Sequence, residues 1–277
     1  MNERPALSPE LNRDEIEARA QFCRGLLASA GSIAMEGFRQ MEAGAPIEIK
    51  GPQDFITEYD ARVETHIREH LAEAFPGDGF LGEETGAQFA PRLWVVDPID
   101  GTANFARAIP HFAVSIAFVE NNRILFGGLH NPALDETYFA QVGKGACRNG
   151  RPIRAAATKQ LDRASVELGW SSRIDNTVYL DRLARLLDLG TNVRRASSGA
   201  LAIAYVADGR SDAYAELHIN AWDCLAGLLL AREAGAIAND YLAGEGLYTG
   251  NPILVAAPGI ADAVSRATSI PLASPLR

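Results

Sequence analysis

The sequence predicts an α/β protein of two lobes, an α+β lobe over residues 1–150 and an α/β lobe over residues 151–277. Three observations point there. Two long segments with apolar residues at helical spacing open the chain, and a run of strands joined by short turns follows them. Beyond Asn149–Ile153 the rhythm changes to strands and helices in alternation, which is how α/β architecture reads in sequence. A chain of 277 residues is long enough to bury a large core without a partner.

From Arg13 to Met41 the residues Ile16, Phe22, Leu26, Ala30, Ile33 and Phe38 recur at helical spacing, and "GAP" ends that helix. In "TEYDARVETHIREHLAEAF" the residues Val63, Ile67, Leu71 and Phe75 form one apolar face, and "PGDG" stops the second helix. Thr57, three residues before Asp60, resembles a capping box at its start. "FLGEE" and "RLWVVD" read as short strands that end in acids. "FAVSIAFVE", "RILFGGLHN" and "ETYFAQVGKG" read as a meander with "NN" and "NPALD" as turns. The second lobe runs through "SVELGW" (strand), "NTVYLDRLARLLDL" (helix), "NVRRA" (strand), "GALAIAYVADG" (helix), "DAYAEL" (strand), "WDCLAGLLLAREAG" (helix) and "PILVAAP" (strand). The tail "SIPLASPLR" is expected to be loose.

Composition excludes several function classes. With 47% apolar and 22% charged residues, and no apolar run near the roughly 18 residues of a membrane helix, the chain reads as globular and not membrane-spanning. The opening "MNERPALSPELNRDE" has no basic patch followed by an apolar core, so no secretory signal is expected and the expected location is cytoplasmic. Cys23, Cys147 and Cys224 stand far apart, which suits a reducing compartment, argues against zinc and marks them as small buried hydrophobes. A net charge of −9 argues against a nucleic-acid partner. It leaves room for a phosphorylated small molecule, because clustered carboxylates recruit divalent cations that reverse the local sign.

The chemistry centres on "WVVDPIDGTANF", Trp94 to Phe105. Asp, Pro and Gly at these positions are good turn formers, and a turn explains "DPIDG" taken alone. The strand "LWVV" is apolar on both faces and therefore buried, so Asp97 leaves the sheet with little room for solvation. Asp97 and Asp100 would raise each other's pKa unless a cation lies between them. Other hard-oxygen donors exist: Glu83 and Glu84 end a strand, and Asp223 opens an apolar helix. Solvated loop acids and a helix-capping acid remain the alternative reading of these three. Carboxylates with a backbone carbonyl such as that of Ile99 are the set that magnesium selects, and no His or Cys cluster competes for a softer metal. Gly101 lets backbone approach a ligand, and if Thr102 opens a short helix its N–H points at an anion. Its hydroxyl could also position a water, with Asp60 as the acceptor it needs. Asp60 shares the face of Val63 and points inward; capping and function both account for it.

These residues resemble the inositol monophosphatase family of magnesium-dependent, lithium-sensitive phosphatases. The likeness runs from "IKGPQDFITEYD" through "GEE", "WVVDPIDGTANF", "GKGACRNG", "VELGWSSR" and "DAYAEL" to "AWDCLAGLLLAREAG". It implies a layered αβαβα sandwich of the inositol monophosphatase and fructose-1,6-bisphosphatase type. Glu83, Asp97 and the Ile99 carbonyl match the ligands of a first Mg2+, and Asp97, Asp100 and Asp223 those of a second. Glu83 also helps hold a third ion, near which a lysine matches Lys50. Asp60 and Thr102 match the pair that orients the attacking water. Asp97, Gly101, Thr102, Ser198, Gly199, Glu216 and Asp223 make up the substrate side. The implied reaction is in-line attack of an activated water on phosphorus without a phosphoenzyme.

The implied substrate is a small phosphate monoester, with inositol 1-phosphate first because Glu216 and Asp223 can bind ring hydroxyls. Histidinol phosphate, fructose 1,6-bisphosphate and adenosine 3',5'-bisphosphate are the alternatives within the family. The chain departs from common family patterns at "SSGAL", Asn220 and Ala202, all on the leaving-group side. A non-enzymatic binding module is the alternative of another class; its signature would be lost metal ligands, and none is lost. The resemblance also implies a homodimer, with the exposed part of the meander as the contact.

Overall fold

The computed structural model describes residues 9–44, 48–51, 54–56 and 58–273, with the side chains of 48–51 and 54–56 outside that description. The expected cap at Thr57 and the Lys50 side chain fall outside it, as do the last four residues of the tail.

Helix α1 (Arg13–Glu42) starts where the Asn12 side chain accepts from the N–H groups of Asp14 and Glu15, and Glu15 closes the capping box. A hairpin of β1 (Glu48–Gly51) and β2 (Asp54–Ile56) leads into α2 (Glu58–Ala74). Then come β3 (Gly79–Gly82), β4 (Gly86–Gln88), β5 (Arg92–Asp100), the single turn α3 (Thr102–Phe105), β6 (Ala113–Glu120), β7 (Arg123–Asn131), β8 (Glu136–Gln141), β9 (Ala146–Arg148) and β10 (Arg151–Pro152). The rest of the chain supplies β11 (Ser165–Leu168), α4 (Asn176–Asp188), β12 (Asn192–Arg194), α5 (Gly199–Ala207), β13 (Ala213–Ile219), α6 (Ala221–Glu233), β14 (Ile237–Ala238), α7 (Gly246–Thr249), β15 (Asn251–Ala256) and α8 (Ala261–Thr268).

Eight strands form one sheet in the order β10-β9-β8-β7-β6-β5-β3-β4, and five form another in the order β12-β11-β13-β15-β14. Helices α1 and α2 cover one face of the larger sheet, α5 and α6 lie between the sheets, and α4 and α8 cover the far face of the smaller one. Five layers result, with apolar contact at each step. Phe38, Val63, Ile67 and Phe112 belong to the core under α1 and α2, Leu129, Ile203 and Leu225 to the core between the sheets, and Val166, Leu254 and Val264 to the core under α4 and α8. The middle core mixes residues from both sides of position 150. Each fully buried large side chain there contributes roughly 1.5–3 kcal/mol.

Close approach of α6 to the large sheet depends on Gly127: a Cβ there would lie 2.8 Å from the Ala226 Cα. A side chain at 127 would push away the helix that carries Asp223. The meander β6 to β8 forms as the sequence predicts, because each strand alternates into the two apolar layers beside it, and the unpredicted β9 extends it. Three expectations need correction. Strand β5 runs on to Asp100 and does not end at Asp97, since its pairing with β6 continues past an irregularity. Cys147 is half-buried, unlike Cys23 and Cys224, because it lies in the short β9 near the sheet edge. Ile270, at the start of the expected loose end, is buried, and α8 packs just before it. Among the described residues no helix is long and apolar enough to cross a membrane.

Candidate active site

The site grows from a bulge in β5. Asp97 pairs with Ser115 and Asp100 with Ala113, so three steps along β5 oppose two along β6. Pro98 lies inside that irregularity, beyond Val96 where pairing with β3 ends, so its missing N–H costs no ladder bond. The Asp97 carboxylate accepts from the Ile99 N–H at 3.0 Å, which holds the extra residue in place. Gly101 then turns the chain with φ 93°, in the left-handed region that suits glycine. The bulge aims Asp97 and Asp100 at one point, and α6 brings Asp223 to it. One oxygen from each of the three carboxylates lies within 4.8 Å of the others. Glu83 follows β3 directly, and β3 runs parallel to β5 with Gly82 beside Val96, so Glu83 emerges next to Asp97 and hydrogen-bonds to it.

Each of these acids is held where a negative charge is costly. Burial, then Glu83, Asp100 and Asp223, push the Asp97 carboxyl well above the usual range. Burial, then Asp223, Glu84 and Asp60, do the same to Glu83, which stays exposed on its cavity side while its carboxyl is crowded by protein. Asp100 rises to about 7 through burial and Asp223, although the Ser198 hydroxyl and the N–H groups of Gly199 (3.2 Å) and Ala200 (3.1 Å) donate to it. Asp223 rises by burial against hydrogen bonds from Asp97 and Asn220, whose N–H donates at 3.1 Å. The helix-capping reading of Asp223 therefore holds alongside its place among the acids.

The Thr102 hydroxyl donates to the Ile99 carbonyl at 2.9 Å and lies 3.4 Å from the Asp60 carboxylate, which is 1% exposed. The side chain of Asn104 donates at 2.8 Å to the carbonyls of both His111 and Ala196, tying the turn after β5 to the loop that starts α5. That loop ends at Ser198, whose hydroxyl caps α5 at Leu201 as well as holding Asp100.

A cavity of about 320 Å3 opens beside the acids. Of the residues expected from sequence, Glu83, Asp100, Gly101, Thr102, Ser198, Gly199, Glu216 and Asp223 line it, with Asp97, Ile99 and Asp60 packed behind. The polar groups of Ser198 and Gly199 are spent on Asp100. Glu216 is raised to about 8, chiefly by burial, against a hydrogen bond from Tyr214. Glu167, Trp170, Arg195 and Tyr214 also line the cavity and were not singled out by the sequence. The signal available was positional: Trp170 and Arg195 follow the carboxyl ends of the parallel strands β11 and β12, where open α/β sheets bind ligands.

A model of the inositol monophosphatase family matches residues 15–269. The inositol-1-monophosphatase of Mesorhizobium japonicum is 38% identical over 233 residues, which cover 82% of this chain and 88% of that protein. The Nus factor SuhB of Xylella fastidiosa is 39% identical over 216 residues, covering 77% of this chain and 78% of its own length. The solved structure of the extragenic suppressor protein suhB from Bartonella henselae superposes with a TM-score of 0.82 at 31% identity, over 93% of this chain and 98% of that one. A match of this extent, on a chain that folds as its solved relative does, shows that the protein belongs to the inositol monophosphatase family and is a phosphoric monoester hydrolase.

Proposed function

We propose that the chain hydrolyses inositol 1-phosphate to inositol and phosphate, with Mg2+ held by Glu83, Asp97, the Ile99 carbonyl, Asp100 and Asp223. The observation that carries this reading is the convergence of Asp97, Asp100 and Asp223 within 4.8 Å at the edge of the cavity. The donor set fits a hard divalent cation: it is all oxygen, Asp97 and Asp100 are buried, and its carboxylates raise one another's pKa. Bound Mg2+ supplies charge neutralisation at the phosphoryl oxygens and a water of lowered pKa.

The chain's own residues do the rest. Thr102 commits its proton to the Ile99 carbonyl and Asp60, so its lone pairs are left to accept from a water and turn that water's oxygen toward phosphorus. Gly101 and Thr102 present backbone N–H groups to the phosphate, preorganised by the Asn104 ties. Glu216 and Asp223 accept from ring hydroxyls of the leaving alcohol, and the family resemblance gives Lys50 a part at a third ion. Lithium sensitivity, a cytoplasmic location and a homodimer formed through the meander, where Leu134 is 47% exposed, belong to the same proposal.

The test is phosphate release from inositol 1-phosphate, histidinol phosphate, fructose 1,6-bisphosphate and adenosine 3',5'-bisphosphate, with Mg2+ and with or without lithium. Inositol 1-phosphate should be turned over fastest and lithium should inhibit. Equal slow turnover of all four would sink the choice of substrate.

A further inference from the structure

The motif "GKGACRNG" belongs to the family likeness, yet none of its residues lines the acidic cavity. Lys144 to Cys147 line instead a second cavity of about 400 Å3, a volume within the range of small-molecule sites. It lies at the far end of α6. Glu233 borders it ten residues beyond Asp223, roughly 15 Å along the helix axis, so the two cavities are separate sites.

Four charged side chains line this second cavity, and two of them are already committed within the protein. Gly143 and Gly145 take φ values of 73° and 77°, and their N–H groups donate to the two carboxylate oxygens of Glu233 at 2.9 and 2.8 Å. Backbone dipoles thereby absorb the Glu233 charge. Lys144, between the glycines, forms an ion pair with Glu17. The other two are Arg24 and Arg154, and neither has a hydrogen bond or ion pair among the described residues. The Arg24 guanidinium lies 3.5 Å from the ring centroid of Phe139, a ring that is itself 1% exposed, so the cation is held in place while its forked donors stay free. Phe139, Ala146, Pro152 and Ile153 supply apolar wall to the same cavity.

We propose that this cavity is a second, non-catalytic ligand site for a small organic dianion of the phosphate type. Arg24 and Arg154 take its acid group, and its apolar body lies against Phe139, Pro152 and Ile153. Two free arginines offset two negative charges, and the guanidinium fork matches phosphate oxygens in pairs. The chain carries a net charge of −9, so two unpaired cations at one cavity mark a place where an anion gains what it would lose on most of the surface. The inference depends neither on Mg2+ nor on the choice of substrate.

Phenylphosphonate is a suitable probe, because it joins a doubly charged acid group to an apolar ring through a carbon–phosphorus bond that phosphate ester hydrolysis does not cleave. It is titrated into the full chain in chelator, where the crowded acids of the first cavity repel an anion. Calorimetry reads binding, and the rate of Cys147 alkylation reads its place. Cys147 lines the second cavity and is half-buried, whereas Cys23 and Cys224 are buried, so its thiol reports on this cavity alone. Saturable binding should slow the alkylation of Cys147. Methylphosphonate, which has the charge without the ring, and benzyl alcohol, which has the ring without the charge, should both bind more weakly. Arg24→Gln and Arg154→Gln should each weaken phenylphosphonate binding about tenfold or more, the worth of a charge-assisted contact. Both arginines are exposed, so the variants should keep the wild-type fold. The inference is overturned if no saturable binding occurs, or if binding leaves Cys147 alkylation unchanged. Undiminished binding in both variants would overturn it as well, and so would equal binding of either partial probe.

Discussion

The two ends of the cavity handle charge in opposite ways. At one end Asp97, Asp100, Asp223 and Glu83 crowd together with no cationic side chain forming an ion pair with them among the described residues. At the other end charges are matched or shielded: Glu167 by Arg194 and Ser211, Glu216 by the Tyr214 hydroxyl, and Arg195 over Trp170. The first end is unstable without something positive added to it. The second pairs its charges within the protein, although burial still raises Glu167 and Glu216. On the proposed function, the difference separates chemistry, assigned to the acids, from specificity, assigned to the matched residues.

The sharpest break of that contrast is Asp97→Asn. Asn keeps the oxygen that accepts from the Ile99 N–H, so the bulge in β5 survives while one buried charge goes. Activity should fall on the order of 10^3-fold, as expected when a central electrostatic group is lost from a site. In chelator, however, the variant should melt at a higher temperature than the wild type, because the repulsion among the acids is relieved. Near wild-type turnover would remove the acids from the chemistry. A lower melting temperature in chelator would show that they do not strain the metal-free fold.

A smaller effect should appear when pH is varied without metal. Asp100 rises to about 7 and Glu216 to about 8 in the folded chain, against ordinary values of 3.8 and 4.5. Between those limits the folded state holds protons that the unfolded chain has released, so stability falls as pH rises and the loss is complete above the folded values. Thermal unfolding in chelator should therefore move to lower temperature by several degrees from about pH 5.5 to about pH 8.5. Added Mg2+ should reverse the loss at the upper end by binding the folded state alone. A flat or rising midpoint in chelator would mean that the acids are compensated by groups not considered above.

The same contrast explains what could be read from sequence. The acids of the first end sit in contiguous motifs, "GEE", "DPIDG" and "WD", each at the end of a strand or the start of a helix, so residue type and pattern converge on them. The large sheet and its two covering helices were legible for a similar reason, since apolar periodicity follows from burial on a known face. The bulge was not legible: Pro98 and Gly101 look like the end of a strand, and only pairing with β6 shows that the strand continues. Helix α8 was missed because it is only eight residues long and five of those are Ala, Ser or Thr, with Val264 its single large apolar residue. Arg195 and Trp170 were missed because they are 25 positions apart and meet only when β11 and β12 lie side by side.

Ser198 stands where the two ends meet, and it gives the smallest test. Its hydroxyl donates to Asp100 and also accepts from the Leu201 N–H at 3.3 Å as the cap of α5. Ser198→Ala removes both contacts and leaves Asp100 with two backbone N–H donors. Loss of a serine cap costs about 1 kcal/mol, and in a chain of this size that is about 2–4 °C of melting temperature. The loss should be larger at about pH 8 in chelator than at about pH 5.5, because the hydroxyl stabilises the ionised form of Asp100 and has less to do once that group is protonated. An effect independent of pH would assign Ser198 to the helix alone, and would place the whole burden of positioning Asp100 on the N–H groups of Gly199 and Ala200.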